Sequence, residues 1–586
     1  MTRYVDPYWG GVAGGNPPPR KQDPRHGEAP AGSAIVVLGS AAVLAVDLLR
    51  NPWFNDVAWA AAIPAAWALL AVLRRAWSTV GLCAVLAGGW AWTARPPEGP
   101  SPLQVLVVGV DGGTFDVIDA EAARLPTFQR LALEGARGPL RSMEPMFSPL
   151  LWTTLASGRV PGDHGVRGFR VHAEDCRVAR VWDVAEDAGM RVGVWKWLVD
   201  YPPRVVPGFW VPSWLAPGPE TWPVRLSAVK ELELAHRTRR AAVAPSRGML
   251  AIGWDLVGLG MRLSTLADGV AWWAERKAYA FVVRSVDAAR ADVRNQLLRG
   301  RIDRDVFVAQ VHREEVQFAT FTFYGVDALG HLYWDRHEAG GDEVRAAYRE
   351  ADAILAELWA QLGPEGRLVV VSDHGFQSMA TATGANGPAG RFLPKTEALR
   401  ARLLRDFPGA AADVTRVGHK ITLSTRDIAA QTLRVWVGRL VDSAGNPFYR
   451  VEELDGDMLG LTLADEQVDA RRLASDTVGG APLSDYVALD RAYTGTHAAR
   501  GILYVAGPGV QAGATLPEAG LLDVAPTVLG AAGLATSTEM MGRSVVPAWK
   551  GPAPVRSWDG LLRGHRWLGG ESGVAEPQMR ALGYIE

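Results

Sequence analysis

Aspartate and histidine residues stand at the ends of several short apolar runs in this sequence of 586 residues. The clearest case is Arg367–Phe376 (RLVVVSDHGF), where an apolar run rich in β-branched residues ends at Ser372, Asp373 and His374. Such a run predicts a buried strand of a parallel sheet. Other predicted strands have similar exits, and these supply Asp111, Asp327, His331 and His497.

These residue types indicate metal chemistry at one edge of a sheet. In open α/β sheets, ligands bind beyond the carboxyl ends of the strands, and carboxylate oxygens and imidazole nitrogens suit zinc. Asp327 and His331 are four residues apart, so one turn of chain can present both to the same ion. We therefore expect two divalent metal ions, about 3.5–4 Å apart, which would hold the attacking and leaving oxygens of an in-line displacement. The alternative for Asp373 and His374 is a helix cap followed by an ordinary polar residue.

A serine at the start of a predicted helix is the candidate nucleophile. Ser148 precedes Pro149, and the helix is expected to run to about Ser157 and to stop at Gly158. Serine at the N-cap and proline in the first turn are typical of a helix start. A serine hydroxyl is a weak nucleophile at neutral pH, but a bound dication and a helix N-terminus both favour its alkoxide. Ser148 is thus a candidate nucleophile and metal ligand, and a plain helix cap is the alternative.

The elements that must position these residues alternate between strand and helix. This order predicts an α/β fold with a mostly parallel central sheet flanked by helices. The catalytic domain is expected to cover residues 104–551 and to contain two insertions. Residues 216–312 are expected to form a helical cap, and residues 378–490 a mixed α+β unit. Residues 552–586 are expected to form a C-terminal tail.

The N-terminal part of the chain predicts a membrane anchor. Residues 1–30 are rich in proline, glycine and charge, which predicts a disordered tail. Residues 31–95 contain three apolar segments, each close to the roughly 20 residues that span a bilayer. Arginine and lysine residues flank these segments mainly on one side, which predicts a cytoplasmic tail and a periplasmic or extracellular catalytic domain. Residues 96–103 are expected to form a stiff linker. A buried helical hairpin is the alternative for the apolar segments.

Composition excludes some classes of function. Lys+Arg 61 against Asp+Glu 63 leaves no basic stripe, so we expect no nucleic-acid binding. The chain has only two cysteines, and Cys83 lies in an apolar segment, so a disulfide framework is not expected. Any metal site must therefore use histidine and carboxylate ligands. No sequence feature specifies the oligomeric state.

Four motifs together resemble the alkaline phosphatase superfamily, and most of all its type I phosphodiesterase/nucleotide pyrophosphatase group. They are VGVDGG, FSPLLWTTLASGRVPGDHG, YGVDALGH and VVVSDHGF, followed by GTH near the end. The resemblance implies an alkaline phosphatase-like sandwich and a phosphate-ester substrate. It implies that one zinc ion is held by Asp327, His331 and His497. It implies that the other is held by Asp111, Asp373 and His374, with Ser148 as the nucleophile touching this second ion. Aspartate and histidine also serve Mn²⁺, so manganese is the alternative metal.

Some positions depart from the group's pattern. The group usually has threonine where this chain has Ser148, and nucleotide-cleaving relatives have asparagine where Phe169 stands, between Arg167 and Arg170. His164 is interpreted as a structural residue or a support of the site. Two other functions remain open: an envelope phosphotransferase that moves a phospho-alcohol group onto a lipid or glycan, and a non-enzymatic membrane scaffold.

Overall fold

The computed structural model describes residues 101–568, apart from 145, 167–171, 239–247, 283–287, 380–390, 411, 418–419, 426, 454–457, 465–475 and 491–493. The predicted tail 1–30, the apolar segments within 31–95 and residues 569–586 lie outside this part of the chain. Within it, none of the helices combines the length and the apolar character needed to cross a membrane.

The strands are β1 (Val105–Val110), β2 (Ala136–Arg141), β3 (Val192–Trp195), β4 (Gly208–Val211), β5 (Phe318–Phe323), β6 (Arg367–Val371), β7 (Gly375–Ser378), β8 (Arg391–Pro394), β9 (Ala412–Val417), β10 (Lys420–Thr425), β11 (Tyr449–Glu453), β12 (Met458–Leu463), β13 (Thr477–Val478), β14 (Ala481–Pro482), β15 (Val487–Asp490), β16 (Gly495–Ala498), β17 (Arg500–Ala506), β18 (Ala514–Thr515) and β19 (Ala519–Gly520).

The α-helices are α1 (Phe115–Ala120), α2 (Pro126–Glu134), α3 (Ser148–Ser157), α4 (Pro161–His164), α5 (Val181–Asp187), α6 (Ser227–Thr238), α7 (Met249–Leu259), α8 (Leu263–Val282), α9 (Ala288–Arg313), α10 (Gly325–Glu338), α11 (Glu343–Trp359), α12 (Thr396–Asp406), α13 (Ala430–Val437), α14 (Leu483–Tyr486) and α15 (Val524–Ala531).

The central sheet has the order β18-β2-β17-β6-β1-β5-β3-β4, and β19 also pairs with β2. Strand β1 pairs in parallel with β5 and β6, and β3 pairs in parallel with β4 and β5. Strand β17 is antiparallel to both of its neighbours, β6 and β2. The predicted α/β fold with a mostly parallel central sheet is therefore confirmed, with one strand in the opposite direction.

Both faces of this sheet are covered, as the continuous apolar runs predict. Along β1, Leu106 and Val108 belong to the hydrophobic core on one face, with helices α2, α9 and α11. Val105 and Val107 belong to the core on the other face, with helices α3, α5 and α15. The carboxyl ends of the adjacent strands β6, β1 and β5 thus emerge together at one protected edge.

The two predicted insertions have different contents. Helices α6 to α9 account for most of residues 227–313, and their buried side chains join one of the two cores of the central sheet. Residues 391–490 contain a four-stranded antiparallel sheet, β11-β12-β10-β9, with its own hydrophobic core. The second insertion therefore builds a core of its own, whereas the first extends the core of the catalytic domain.

Part of the predicted C-terminal tail packs on the domain. The amide of Leu568 donates to the carbonyl of Pro203 (2.9 Å), and the amide of Val205 donates to the carbonyl of Arg566 (3.2 Å). The imidazole of His565 lies 3.8 Å from the buried carboxylate of Asp183. Residues up to 568 are therefore attached to the α5 side of the sheet.

Candidate metal centre

Asp111 is the first residue after β1. Its amide donates to the carbonyl of Phe323 at the end of β5 (3.0 Å), which ties the exits of these two strands together. The next residue, Gly112, has φ of 72°, a conformation that suits glycine at this sharp turn. One carboxylate oxygen of Asp111, Oδ2, accepts a hydrogen bond from the indole Nε1 of Trp152 (3.2 Å). The other, Oδ1, is buried without a hydrogen-bond partner.

Asp373 and His374 follow β6, the neighbour of β1. The hydroxyl of Ser372 accepts a hydrogen bond from the amide of Gly113 (2.8 Å) and donates to the carbonyl of His374, so it fixes the two exits relative to each other. The Nδ1 of His374 donates to the carbonyl of Gly375 (2.9 Å), because a carbonyl can only accept. Its Nε2 therefore carries the lone pair, and it lies 3.5 Å from a carboxylate oxygen of Asp111 and 3.5 Å from one of Asp373.

Asp327 and His331 lie on consecutive turns of helix α10, which starts directly after β5. The Oδ1 of Asp327 and the Nε2 of His331 are 3.3 Å apart, as the spacing of four residues along a helix allows. The Nδ1 of His331 donates to the carbonyl of Gly495 (3.1 Å), so its Nε2 also carries a lone pair.

His497 reaches the same place from a distant part of the chain. It lies on β16, which pairs antiparallel with β7 and places His497 opposite Phe376. The Nδ1 of His497 donates to the carbonyl of Met146 (2.9 Å). Its Nε2 lies 3.5 Å from the Oδ1 of Asp327 and 3.1 Å from the Nε2 of His331.

The chemistry of these atoms fits bound cations. Five acceptor atoms are buried without a hydrogen-bond donor: Asp111 Oδ1, Asp327 Oδ1, Asp373 Oδ1, Asp373 Oδ2 and His374 Nε2. A buried carboxylate with neither a donor nor a counter-charge is strongly unfavourable. Two groups of ligand atoms converge within 4.8 Å, one formed by Asp327, His374 and His497 and the other by Asp111, Asp373 and His374. His374 belongs to both groups, so the two candidate ion positions are adjacent.

The pKa values of four clustered residues, Asp111, Asp327, Asp373 and His374, are shifted by the same burial and by the charges of their neighbours. Burial, together with the charges of Asp373 and Asp327, raises the pKa of Asp111 well above its ordinary value. Burial likewise raises the pKa of Asp373 to about 7, although His497 opposes the shift. Burial would also raise the pKa of Asp327, but His331 and His497 hold it well below its ordinary value. Burial and the neighbouring His497 lower the pKa of His374 well below its usual range. The three carboxylates, those of Asp111, Asp327 and Asp373, therefore need positive charge nearby, from either protons or metal ions.

Ser148 is the first residue of α3, and Phe147 occupies the N-cap position. The prediction that Ser148 itself caps the helix is therefore wrong by one residue, because Phe147 still has extended backbone angles while Ser148 is already helical. Ser148 is buried, and its hydroxyl makes no hydrogen bond with the described residues. Contacts on both sides of it tie this helix end to the cluster, since Met146 binds His497 and Trp152 binds Asp111. The predicted helix end at Gly158, with φ of 64°, is observed.

Several supports of the site were not predicted from sequence. The carbonyls of Met146, Gly375 and Gly495 orient the three imidazoles, and backbone groups leave no signal in residue type. Trp152 could have been found, because it lies four residues after Ser148 on the same predicted helix face. Phe169, Arg167 and Arg170 lie outside the described residues.

His164 does not reach the cluster. Its Nδ1 accepts a hydrogen bond from the amide of Val166 (3.1 Å), and its Nε2 therefore donates to the hydroxyl of Thr154 (3.1 Å). Burial lowers the pKa of His164 to about 4. The residue is thus a neutral link between α4 and the middle of α3.

Comparison with known proteins bears on these residues directly. A search of curated proteins found no match. A family model described as type I phosphodiesterase / nucleotide pyrophosphatase matches residues 105–416, more than half of the chain. The match includes the exits of β1, β5 and β6 and the start of α3, and it ends before His497. The chain therefore belongs to the type I phosphodiesterase / nucleotide pyrophosphatase family.

Proposed function

We propose that this protein hydrolyses phosphate esters by transferring the phosphoryl group to Ser148, at a site that holds two divalent metal ions. The observation that carries the proposal is the convergence of buried, donor-free carboxylate and imidazole atoms beside the first turn of α3. A cluster of acceptors of this kind serves no purpose in packing, whereas it suits the charge of a phosphoryl-transfer site.

The proposed ion positions follow the two ligand sets that the resemblance to the alkaline phosphatase superfamily implies. Asp327, His331 and His497 would hold one ion, and Asp111, Asp373 and His374 would hold the other, with Ser148 alongside. The ligand types favour Zn²⁺, and Mn²⁺ uses the same types. When bound, such ions supply Lewis-acid stabilisation of phosphoryl oxygens and lower the pKa of nearby hydroxyl groups and water.

The protein's own groups account for the remaining chemistry. The hydroxyl of Ser148 loses its proton as its Oγ forms a bond to phosphorus, the bond from phosphorus to the leaving oxygen breaks, and the leaving alkoxide takes up a proton and departs as the alcohol. The N-terminus of α3 faces the incoming phosphate with backbone N–H groups and the positive end of the helix dipole. A water molecule then attacks the phosphoserine and releases phosphate or a phosphate monoester. The fixed imidazoles and the indole of Trp152 keep the carboxylates in place throughout both steps.

The test uses Ser148→Ala with bis-p-nitrophenyl phosphate and p-nitrophenyl phosphate. Loss of the nucleophile is expected to lower kcat by about 10³-fold or more for whichever ester the wild type cleaves. Ser148→Thr keeps a hydroxyl and is expected to retain activity. Ser157→Ala is the matched control, because the Ser157 hydroxyl lies at the other end of the same helix, where it donates to the carbonyl of Thr153 (2.7 Å) and accepts from the amide of Arg159 (3.3 Å). Unchanged hydrolysis by Ser148→Ala would remove the mechanism.

Product analysis separates hydrolysis from the alternative transferase. With an added alcohol such as glycerol, a hydrolase is expected to release mainly phosphate or a monoester. A dominant new phosphodiester of the added alcohol would instead favour phosphotransfer.

The proposed location is the outer face of a membrane, with residues 31–95 as the anchor. The support is the three apolar segments and the distribution of arginine and lysine around them.

A further inference from the structure

One arginine of helix α9, Arg299, lacks among the described residues the hydrogen-bond or ion-pair partner that the other arginines of this helix have. The helix contains six arginines: Arg290, Arg294, Arg299, Arg301, Arg304 and Arg313. Arg290 and Arg294 pair with Glu275, Arg301 pairs with Glu350 (3.1 Å), Arg304 pairs with Asp305 (2.8 Å) and Arg313 donates to the carbonyl of Gly258 (3.2 Å). Arg299 makes no hydrogen bond or ion pair with the described residues, and its Nε is buried without an acceptor.

The position of Arg299 in α9 brings it to the edge that carries the metal centre. Helix α9 leads into β5 through a short connection and therefore runs back along it. The next residue, Gly300, lies against the ring of Phe323, the last residue of β5, where a Cβ would approach the ring to 2.8 Å. Closer to the start of α9, Asp292 accepts a hydrogen bond from the hydroxyl of Tyr333, two residues after His331 (2.7 Å). The first half of α9 thus extends beyond the sheet, beside α10.

The face of α9 that bears Arg299 points toward the exit of β3. Asp303, one helical turn after Arg299, pairs with Lys196, the first residue after β3 (2.8 Å). Glu233 of α6 also approaches Lys196 (3.4 Å). Burial would lower the pKa of Lys196, but Asp303 and Glu233 raise it above its ordinary value while Arg299 opposes them, so Arg299 lies within electrostatic range of Lys196.

A tyrosine connects this exit to the metal centre. The hydroxyl of Tyr324 donates to the carbonyl of Lys196, and Tyr324 directly precedes α10. Burial and the charges of Asp111, Asp200 and Asp373 raise the pKa of Tyr324 well above its ordinary value. Tyr324 thus links the exit of β3 to the exit of β5, and Arg299 lies on the face of α9 whose Asp303 contacts Lys196.

Burial of a guanidinium N–H without an acceptor is energetically unfavourable. Guanidinium groups bind phosphate and carboxylate groups well, because they can donate two parallel hydrogen bonds. Four other arginines of the same helix have carboxylate partners, namely Arg290, Arg294, Arg301 and Arg304. We propose that Arg299 binds a second anionic group of the substrate, a phosphate or carboxylate carried by the alcohol side of the ester. This inference rests on the proposed function, because the scissile phosphate would lie beside Ser148.

The test compares two 4-nitrophenyl phosphodiesters whose second alcohols are propanol and 3-phosphonopropanol. The measured quantity is the ratio of kcat/KM for the anionic diester to that for the neutral one, in the full chain. We expect the wild type to prefer the anionic diester by about 10- to 100-fold, as a charge-assisted hydrogen bond allows. Arg299→Gln should abolish the preference, and Arg299→Lys should retain part of it. Arg290→Gln, which removes the same charge from the same helix, should leave the ratio as in the wild type.

A binding measurement on protein that lacks the nucleophile tests the role of Arg299 independently of the catalytic proposal. Calorimetric titration of Ser148→Ala with the anionic diester should give an affinity that falls by a similar factor in Ser148→Ala/Arg299→Gln. If the wild type cleaves neither diester while this loss of binding is seen, the hydrolytic proposal fails and the role of Arg299 stands. A wild type that cleaves both diesters equally, or an Arg299→Gln variant that keeps the preference, overturns the inference and leaves the hydrolytic proposal intact.

Discussion

The imidazoles of His331 and His497 face each other through their Nε2 atoms at 3.1 Å. Each ring donates its Nδ1 hydrogen to a main-chain carbonyl, so neither Nε2 has a proton to share while both rings are neutral. The Oδ1 of Asp327 lies 3.3 Å from one and 3.5 Å from the other. Two lone pairs and a carboxylate oxygen aimed at one point repel each other unless a cation lies between them.

Metal content provides the first prediction. His497→Gln is expected to lower the metal bound to the purified protein from about two ions per chain to about one, because one ligand set loses a nitrogen while the other keeps its carboxylates. The measurement is elemental analysis by mass spectrometry after dialysis. His312→Gln is the control, since its imidazole bonds to Gln361 away from the centre (2.9 Å). Two ions per chain in His497→Gln would contradict the assignment.

The indole of Trp152 supports a second prediction. Trp152→Phe removes the hydrogen bond to Asp111 while keeping a buried aromatic ring, so the carboxylate loses the contact that orients it. Loss of such a supporting contact typically weakens metal affinity by 10- to 100-fold. Titration of metal-depleted protein with Zn²⁺ against a competing chelator checks this. Trp182→Phe is the matched control, because the indole Nε1 of Trp182 is buried without a partner, and an equal loss in both variants would point to packing instead.

His164 leads to a prediction about stability and pH. Its pKa is about 4 in the folded chain, against 6.5 for an ordinary histidine, so the unfolded chain binds more protons between these values. The free energy of unfolding should therefore fall as the pH is lowered from 7, and His164 should contribute about 2 kcal/mol of that fall by pH 5. Urea unfolding at both pH values, in wild type and in His164→Gln, isolates the contribution. Equal pH dependence in the two proteins would show that the folded imidazole is protonated after all.

Membrane attachment can be tested apart from catalysis. The full chain is expected in the membrane fraction, resistant to high salt and alkaline washing and released by detergent, because each apolar segment within 31–95 approaches the roughly 20 residues of a spanning helix. Deletion of residues 1–95 is expected to remove the protein from that fraction. Release of the full chain by salt alone would exclude a transmembrane anchor.

Candidate residues that are close together in the sequence could be predicted from it. Features that depend on contacts between distant parts of the chain could not. Asp373 and His374 follow an apolar run, and Asp327 and His331 are separated by one helical turn, so residue type and spacing were sufficient to select them as candidates. The antiparallel direction of β17 depends on how the chain returns after a long insertion, which no local pattern encodes. The unpaired state of Arg299 depends on where carboxylates from other helices fall, and the shift of the α3 N-cap to Phe147 depends on a single pair of backbone angles.

The pairing of β7 with β16 makes Gly495 the direct neighbour of Ser378, although the whole of residues 379–494 lies between them in the chain. This segment starts and ends at the same pair of strands. Its length and shape can therefore change without moving His497 relative to His374. The second insertion, which has a hydrophobic core of its own, is in this sense a separate structural unit attached at the β7–β16 pair.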